Sequence, residues 1–234
     1  MTSIAETSRD RSTMSEPAAL SREDQYAQRV ALFYRETVRP QMDGTVGDVR
    51  PEWAIDAETG KYLYDLTREL KPRVSIEVGL CQAASAMHFL SAIAANGSGF
   101  HMAIDPFQDQ FFQDQGLTTI NRLGLAPWFT LLRSRSATAL SMLHSAGMTA
   151  DLMFIDGDHR FDAVFTDYYF ADKLLRVGGY LIFDEGGYEC PTERIVAFVT
   201  TNMPNYERLA SPTRLYVFRK TGPDEREFGD SFNF

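Results

Sequence analysis

Between Val74 and Phe183 the chain alternates short apolar runs with stretches whose apolar residues return every three or four positions. The runs Val74 to Val78, His101 to Ile104, Phe129 to Arg133, Leu152 to Ile155 and Tyr180 to Phe183 predict strands. Ala84 to Ala95, Ala137 to Ala146 and Asp162 to Leu175 predict helices, and a helical or irregular stretch runs through Arg122. Strand followed by helix, repeated, predicts an α/β fold: a doubly wound, mainly parallel sheet with helices on both faces. Ile195 to Met203 reads as a further helix and Arg214 to Arg219 as a closing strand, antiparallel and at or near the edge. Ahead of this block, Ala27, Val30, Phe33, Tyr34 and Val38 form one helical stripe that packs over the domain or a second subunit. Past Pro40 lies a loop with Gly44 and Gly47, then a second amphipathic helix from Ala57 to Leu70, ending before Pro72.

Composition limits the organisation. With 234 residues, 44% of them apolar, the chain holds enough material for one core and too little for two ordinary domains. Residues 1–22 carry no apolar periodicity and read as a disordered leader; 23–56 form a helical and loop extension, 57–220 the main domain and 221–234 an acidic tail. The net charge of −9 comes without a basic stripe, so nucleic acid is not an expected partner. Two cysteines and no apolar N-terminal signal point to a reducing cytoplasm, and no window approaches the ~20 apolar residues of a membrane span. A homodimer through the first helix is expected.

In an open α/β sheet a ligand lies beyond the carboxyl ends of the strands, so the residues following each strand carry the chemistry. Glu77-Val78-Gly79 ends the first strand, where a glycine lets backbone approach a ligand and helix amides offer donors, although a tight turn also uses glycine without any ligand. Asp105 ends the second strand, about 26 positions on, near where a ribose-binding acid falls in dinucleotide folds; before Pro106 it also suits a turn. Asp156-Gly157-Asp158-His159 follows one strand and Asp184-Glu185 another. If those strands are parallel neighbours, Asp156, Asp184 and Glu185 converge, and three such carboxylates repel unless a cation sits among them. Oxygen ligands suit Mg²⁺, Ca²⁺ or Mn²⁺; Asp-Gly-Asp is also ordinary turn chemistry.

From about Ala57 to Phe218 these runs resemble class I S-adenosylmethionine-dependent methyltransferases, which have a Rossmann-like sheet. Among those they are similar to the catechol-type and macrolide-sugar-type metal-dependent O-methyltransferases. The resemblance implies Glu77, Gly79 and Ser85 beside the cofactor, Asp105 on its ribose, and Ser134 or Ser136 near its adenine. It implies a divalent metal, Mg²⁺ by ligand type, on Asp156, Asp184 and Glu185, with His159 as general base toward the acceptor hydroxyl of a small molecule. The chain departs from that pattern at Ala83, where a second glycine is usual, and at Glu185, where Asp or Asn is usual.

A hydroxyl must lose its proton to attack a sulfonium methyl, and a metal on the oxygen or an imidazole beside it serves that end. Phe107, Phe111, Phe112 and Trp128 are candidates for a wall over the acceptor, as is Tyr188, or simply for core. Three alternatives stay open: metal-independent N- or O-methyl transfer, a different reaction on the same scaffold, and an interaction protein. Chelator resistance marks the first; failure to bind S-adenosylmethionine revives the last.

Overall fold

The computed structural model describes residues 20–184 and 190–227. Helix α1 (Arg22–Arg35) begins where the Ser21 side chain accepts from the Asp24 amide, two residues earlier than the apolar stripe suggests. The helix stops at Arg35, so Val38, expected on its stripe, instead opens a small antiparallel hairpin, β1 (Val38–Pro40), whose partner β2 (Val46–Asp48) lies in the segment expected as a loop. Helix α2 (Ala57–Leu70) is capped by Asp56, which accepts from the Thr59 amide, and ends where Lys71 turns left-handed before Pro72.

The main sheet then builds up in chain order: β3 (Val74–Val78), α3 (Ala84–Asn96), β4 (Phe100–Ile104), α4 (Gln115–Arg122), β5 (Phe129–Leu132) and α5 (Ser136–Ser145). It continues through β6 (Ala150–Ile155), α6 (Phe161–Leu174), β7 (Leu175–Phe183), α7 (Thr192–Asn202), β8 (Tyr206–Leu209) and β9 (Tyr216–Lys220). Its seven strands run in the order β5-β4-β3-β6-β7-β9-β8, parallel from β5 to β7, and β9 is antiparallel to both of its neighbours. The closing strand therefore lies one place inside the edge, and the edge belongs to β8, which the apolar pattern does not announce.

Every residue of β6 is buried, because the helices cover both faces of the sheet, and a strand hidden on both sides needs apolar residues without alternation. One core lies on each face, with Met153 and Phe183 on one and Phe154 and Ile182 on the other. Among the described residues no helix is long and apolar enough to cross a membrane.

The N-terminal helix is fastened through a histidine with no obvious role in the sequence. His88 of α3 is fully buried, with Tyr26 Oη 2.8 Å from its Nδ1 and Tyr34 Oη 3.1 Å from its Nε2. Tyr34 donates its own proton to the Ile55 carbonyl, so it accepts from Nε2–H, and Nδ1 accepts from Tyr26. Burial pushes the imidazole down to about 3, so the folded chain refuses a proton that the unfolded chain takes up near pH 6.5. Stability is thus expected to be full above that pH and to fall as pH drops toward 3, by up to ~1.4 kcal/mol per pH unit from this group. Gly60 of α2 leaves the room: a Cβ there would stand 2.0 Å from His88 Nε2. Gly60→Ala is expected to cost about 1–3 kcal/mol in urea unfolding and to loosen α2 from α3; an unchanged midpoint would contradict this packing.

Candidate active site

Chain order along the sheet reverses at β3, which pairs with β4 on one side and β6 on the other. A crevice opens there beyond the carboxyl ends of the strands, as the topology requires. It is a cavity of about 880 Å³ lined by residues that follow β3, β4, β6 and β7. Gly79 leaves β3 at φ +92, and a Cβ on it would stand 2.1 Å from the Asp156 carbonyl oxygen. Cys81 and Ala83 are also left-handed, at φ 47 and 69, so the turn alternates handedness before α3 begins. Ala83 accordingly keeps a backbone suited to the glycine it replaces, at some conformational cost.

Asp105 holds this turn. Its Oδ2 accepts from the amides of Leu80 (3.2 Å) and Cys81 (3.0 Å) and from Gln108 Nε2 (2.9 Å), while Oδ1 accepts from the Phe107 amide (2.8 Å). The carboxylate is nearly buried yet forms part of the cavity wall, and Oδ1, with a single donor, retains acceptor capacity toward a ligand.

Glu77 lies under the floor of the cavity, fully buried. Ser85 Oγ donates to its Oε2 at 2.8 Å, and His101 Nε2 stands 3.3 Å from its Oε1. His101 in turn meets Ser75 Oγ at 2.7 Å and stacks on Phe89. Ser85 and Gly79 line the cavity, whereas Glu77, expected beside the cofactor, is not among the lining residues and supports the site from below through Ser85. Ser136 also lines it, at the start of α5, whereas Ser134 is not among the lining residues and its hydroxyl donates to the Arg135 carbonyl. Beside Ser136 sits Asp167 of α6, which burial pushes up to about 6 against the opposing hydrogen bond from Ser136.

At the other end, β6 and β7 run parallel with Ile155 opposite Phe183, which brings Asp156 and Asp184 together at the rim. Burial, Asp184 and Glu77 push the Asp156 carboxyl well above the usual range, and Arg214 opposes them. His159 stands with Nε2 3.6 Å from Asp156 Oδ1 and Nδ1 3.8 Å from Cys190 Sγ, and its side chain is 40% exposed. Asp158 turns away to the Arg160 amide and guanidinium, so that half of the Asp-Gly-Asp run is turn chemistry. Glu185 and Tyr188 lie outside the described residues, and among those described no three metal-ligating side chains converge.

Arg214 is the site residue that the pattern of residues does not reveal. Phe183 pairs with Tyr216 in antiparallel register, which places the residues before β9 beside those after β7. Arg214 Nε and Nη2 donate to Asp184 Oδ1 and Oδ2 at 2.9 and 3.1 Å, a two-pronged pair. Phe107, Phe111 and Phe112 do line the cavity, joined by Trp53, whose ring lies 5.8 Å from that of Phe111. Trp128 instead packs against the core.

A family model described as a methyltransferase domain matches residues 76–186, the stretch from β3 to the end of β7. No curated protein sequence matches the chain. The fold is similar to that of the O-methyltransferase TomG from Streptomyces achromogenes, solved with S-adenosylmethionine (17% identity, 88% of this chain and 92% of that one, TM-score 0.61). It is also similar to an O-methyltransferase from Bacillus cereus solved with S-adenosylhomocysteine (15% identity, 88% and 94%, TM-score 0.59). A third similar fold is the methyltransferase PaMTH1 of Podospora anserina (14% identity, 85% and 88%, TM-score 0.60). With its glycine turn and crevice at the switch point, the stretch 76–186 thus matches a methyltransferase domain on a Rossmann-like sheet.

Proposed function

We propose that the protein transfers a methyl group from S-adenosylmethionine to a hydroxyl of a small molecule. The observation that carries this reading is the Asp156–His159 pair on the wall of the same cavity that holds Gly79 and Asp105. The cavity has the size of small-molecule sites, about 300–1,000 Å³. Its glycine cradle, which a Cβ would fill, and the spare acceptor capacity of Asp105 fit an adenosyl cofactor with ribose hydroxyls. The similar folds named above as O-methyltransferases support oxygen as the acceptor atom.

Bound there, the cofactor supplies an electrophilic methyl on a sulfonium. His159 Nε2 would take the hydroxyl proton, with Asp156 steadying the imidazolium that forms, so that the acceptor oxygen is ready for the methyl the cofactor would supply. Phe107, Phe111, Phe112 and Trp53 exclude water from one side of the cavity and offer flat apolar surface to an acceptor.

A divalent metal on Asp156, Asp184 and Glu185 is the further expectation from the resemblance. Of the described donors, Asp184 already gives both oxygens to Arg214, which leaves Asp156 with a guanidinium close by. That set does not fit a divalent ion while the pair is made, and transfer without a metal is the reading this geometry favours.

The test is calorimetric titration with S-adenosylmethionine, followed by assay of hydroxylated aromatic and sugar acceptors with and without chelator. Binding is expected, weakened about tenfold or more by Asp105→Ala, which removes both the ribose acceptor and the clasp on the Leu80 and Cys81 amides. No binding to the folded wild-type protein would overturn the assignment.

A further inference from the structure

We propose that Arg214 is the resident cation of the acceptor site, a guanidinium standing where the resemblance places a metal ion, and that it presents a donor to the acceptor oxygen. The inference rests on the methyl-transfer reading for what the acceptor is, and on the ion pair itself for the charge.

The position follows from the sheet. The β7–β9 register delivers Arg214 to Asp184, and the two-pronged contact fixes the plane of the guanidinium. Asp184 is 3% exposed, and the β6–β7 register sets Asp156 beside it at the rim, so this end of the cavity needs a positive charge. Arg214 supplies it permanently. Its Nε and Nη2 are spent on Asp184, whereas Nη1 makes no hydrogen bond among the described residues, and the side chain, 40% exposed, lines the cavity. A planar cation with a spare donor at the cavity wall suits an oxygen that gains negative charge as it loses its proton: a phenolate, an enolate, or a hydroxyl beside a carboxylate or carbonyl. Arg214 binds and orients that oxygen, and His159, on the Asp156 side, takes the proton. The neighbouring charges are Asp184 and Asp156, with Asp56 at longer range, all negative, so nothing described expels the guanidinium.

Chelator-treated full-length protein titrated with Mn²⁺, read by the electron paramagnetic resonance of the free aquo ion, tests this without any methyl transfer. Wild type is expected to leave Mn²⁺ free, and Arg214→Ala, which takes the guanidinium away from the Asp184 carboxylate, to bind it about tenfold or more tightly than wild type, the gain vanishing when Asp156→Asn is added. Stoichiometric Mn²⁺ binding by wild type that Asp184→Asn abolishes would overturn the proposal. If Arg214→Ala does not fold, Arg214→Gln serves: it keeps a planar donor without charge and is expected to gain affinity in the same direction. No gain in a folded Arg214 variant would equally count against the proposal. A wild type that ignores Mn²⁺ and also fails to bind S-adenosylmethionine would sink the functional reading while leaving the cation assignment in place.

Discussion

Gly79→Ala is expected to eliminate measurable binding of S-adenosylmethionine and to destabilise the fold by about 3 kcal/mol or more. Two costs combine. The backbone sits at φ +92, where a Cβ costs about 1–2 kcal/mol, and the methyl would lie 2.1 Å from the Asp156 carbonyl oxygen. Relief requires β3 and β6 to part at the switch point, which breaks the bond from the Asp156 amide to the Val78 carbonyl. Gly97 provides the control: it is also left-handed, at φ +72, but a Cβ there meets nothing within 4 Å. Gly97→Ala should therefore cost only the backbone strain of about 1 kcal/mol and leave cofactor binding intact. Urea unfolding and calorimetry on the two variants separate strain from collision; equal losses in both, or normal cofactor affinity in Gly79→Ala, would show that the turn does not cradle the ligand.

His159→Ala is expected to lower kcat/KM for methyl transfer by about 10² to 10⁴-fold, the range lost with a general base. The side chain is 40% exposed and, among the described residues, its polar partners are Asp156 and Cys190, so stability should change little. Cofactor affinity should change little as well, since the turn held by Gly79 and Asp105 is untouched. A variant that keeps wild-type turnover on every accepted hydroxyl would remove His159 from the chemistry and move the search for a base to Asp156.

The main sheet is legible because burial on both faces writes itself as unbroken apolar runs, and α2 is legible to the residue because Asp56 starts it and Pro72 closes it. Strands that rely on partners are not. Val38-Arg39-Pro40 and Tyr206-Glu207-Arg208-Leu209 are too short and too charged to show a period, and their pairing depends on residues elsewhere in the chain. Strand β7 begins at Leu175, directly after α6, where Gly178 and Gly179 suggest a turn. In the site, the residues at strand ends were readable by rule, while Arg214 was not, since it reaches Asp184 through the register of an antiparallel neighbour. His88 and His101 escaped for the same reason: one is defined by α1 and α2 closing over α3, the other by Ser75 standing opposite it across β3 and β4.

The N-terminal hairpin also fastens the glycine turn. Arg39, almost fully buried, donates to the Gln82 carbonyl, and the Gln82 side chain accepts from the Arg50 amide and donates to the Asp48 carbonyl. All three partners lie outside the 76–186 stretch by which the family is matched. The stretch that is inherited as the recognisable module is therefore not a self-sufficient one: transplanted behind a different N-terminal extension, it would keep the Asp105 clasp on its glycine turn but lose the bonds that Arg39, Asp48 and Arg50 make to Gln82. Ancestry and mechanical autonomy have different borders in this chain, and the glycine turn lies across the gap between them.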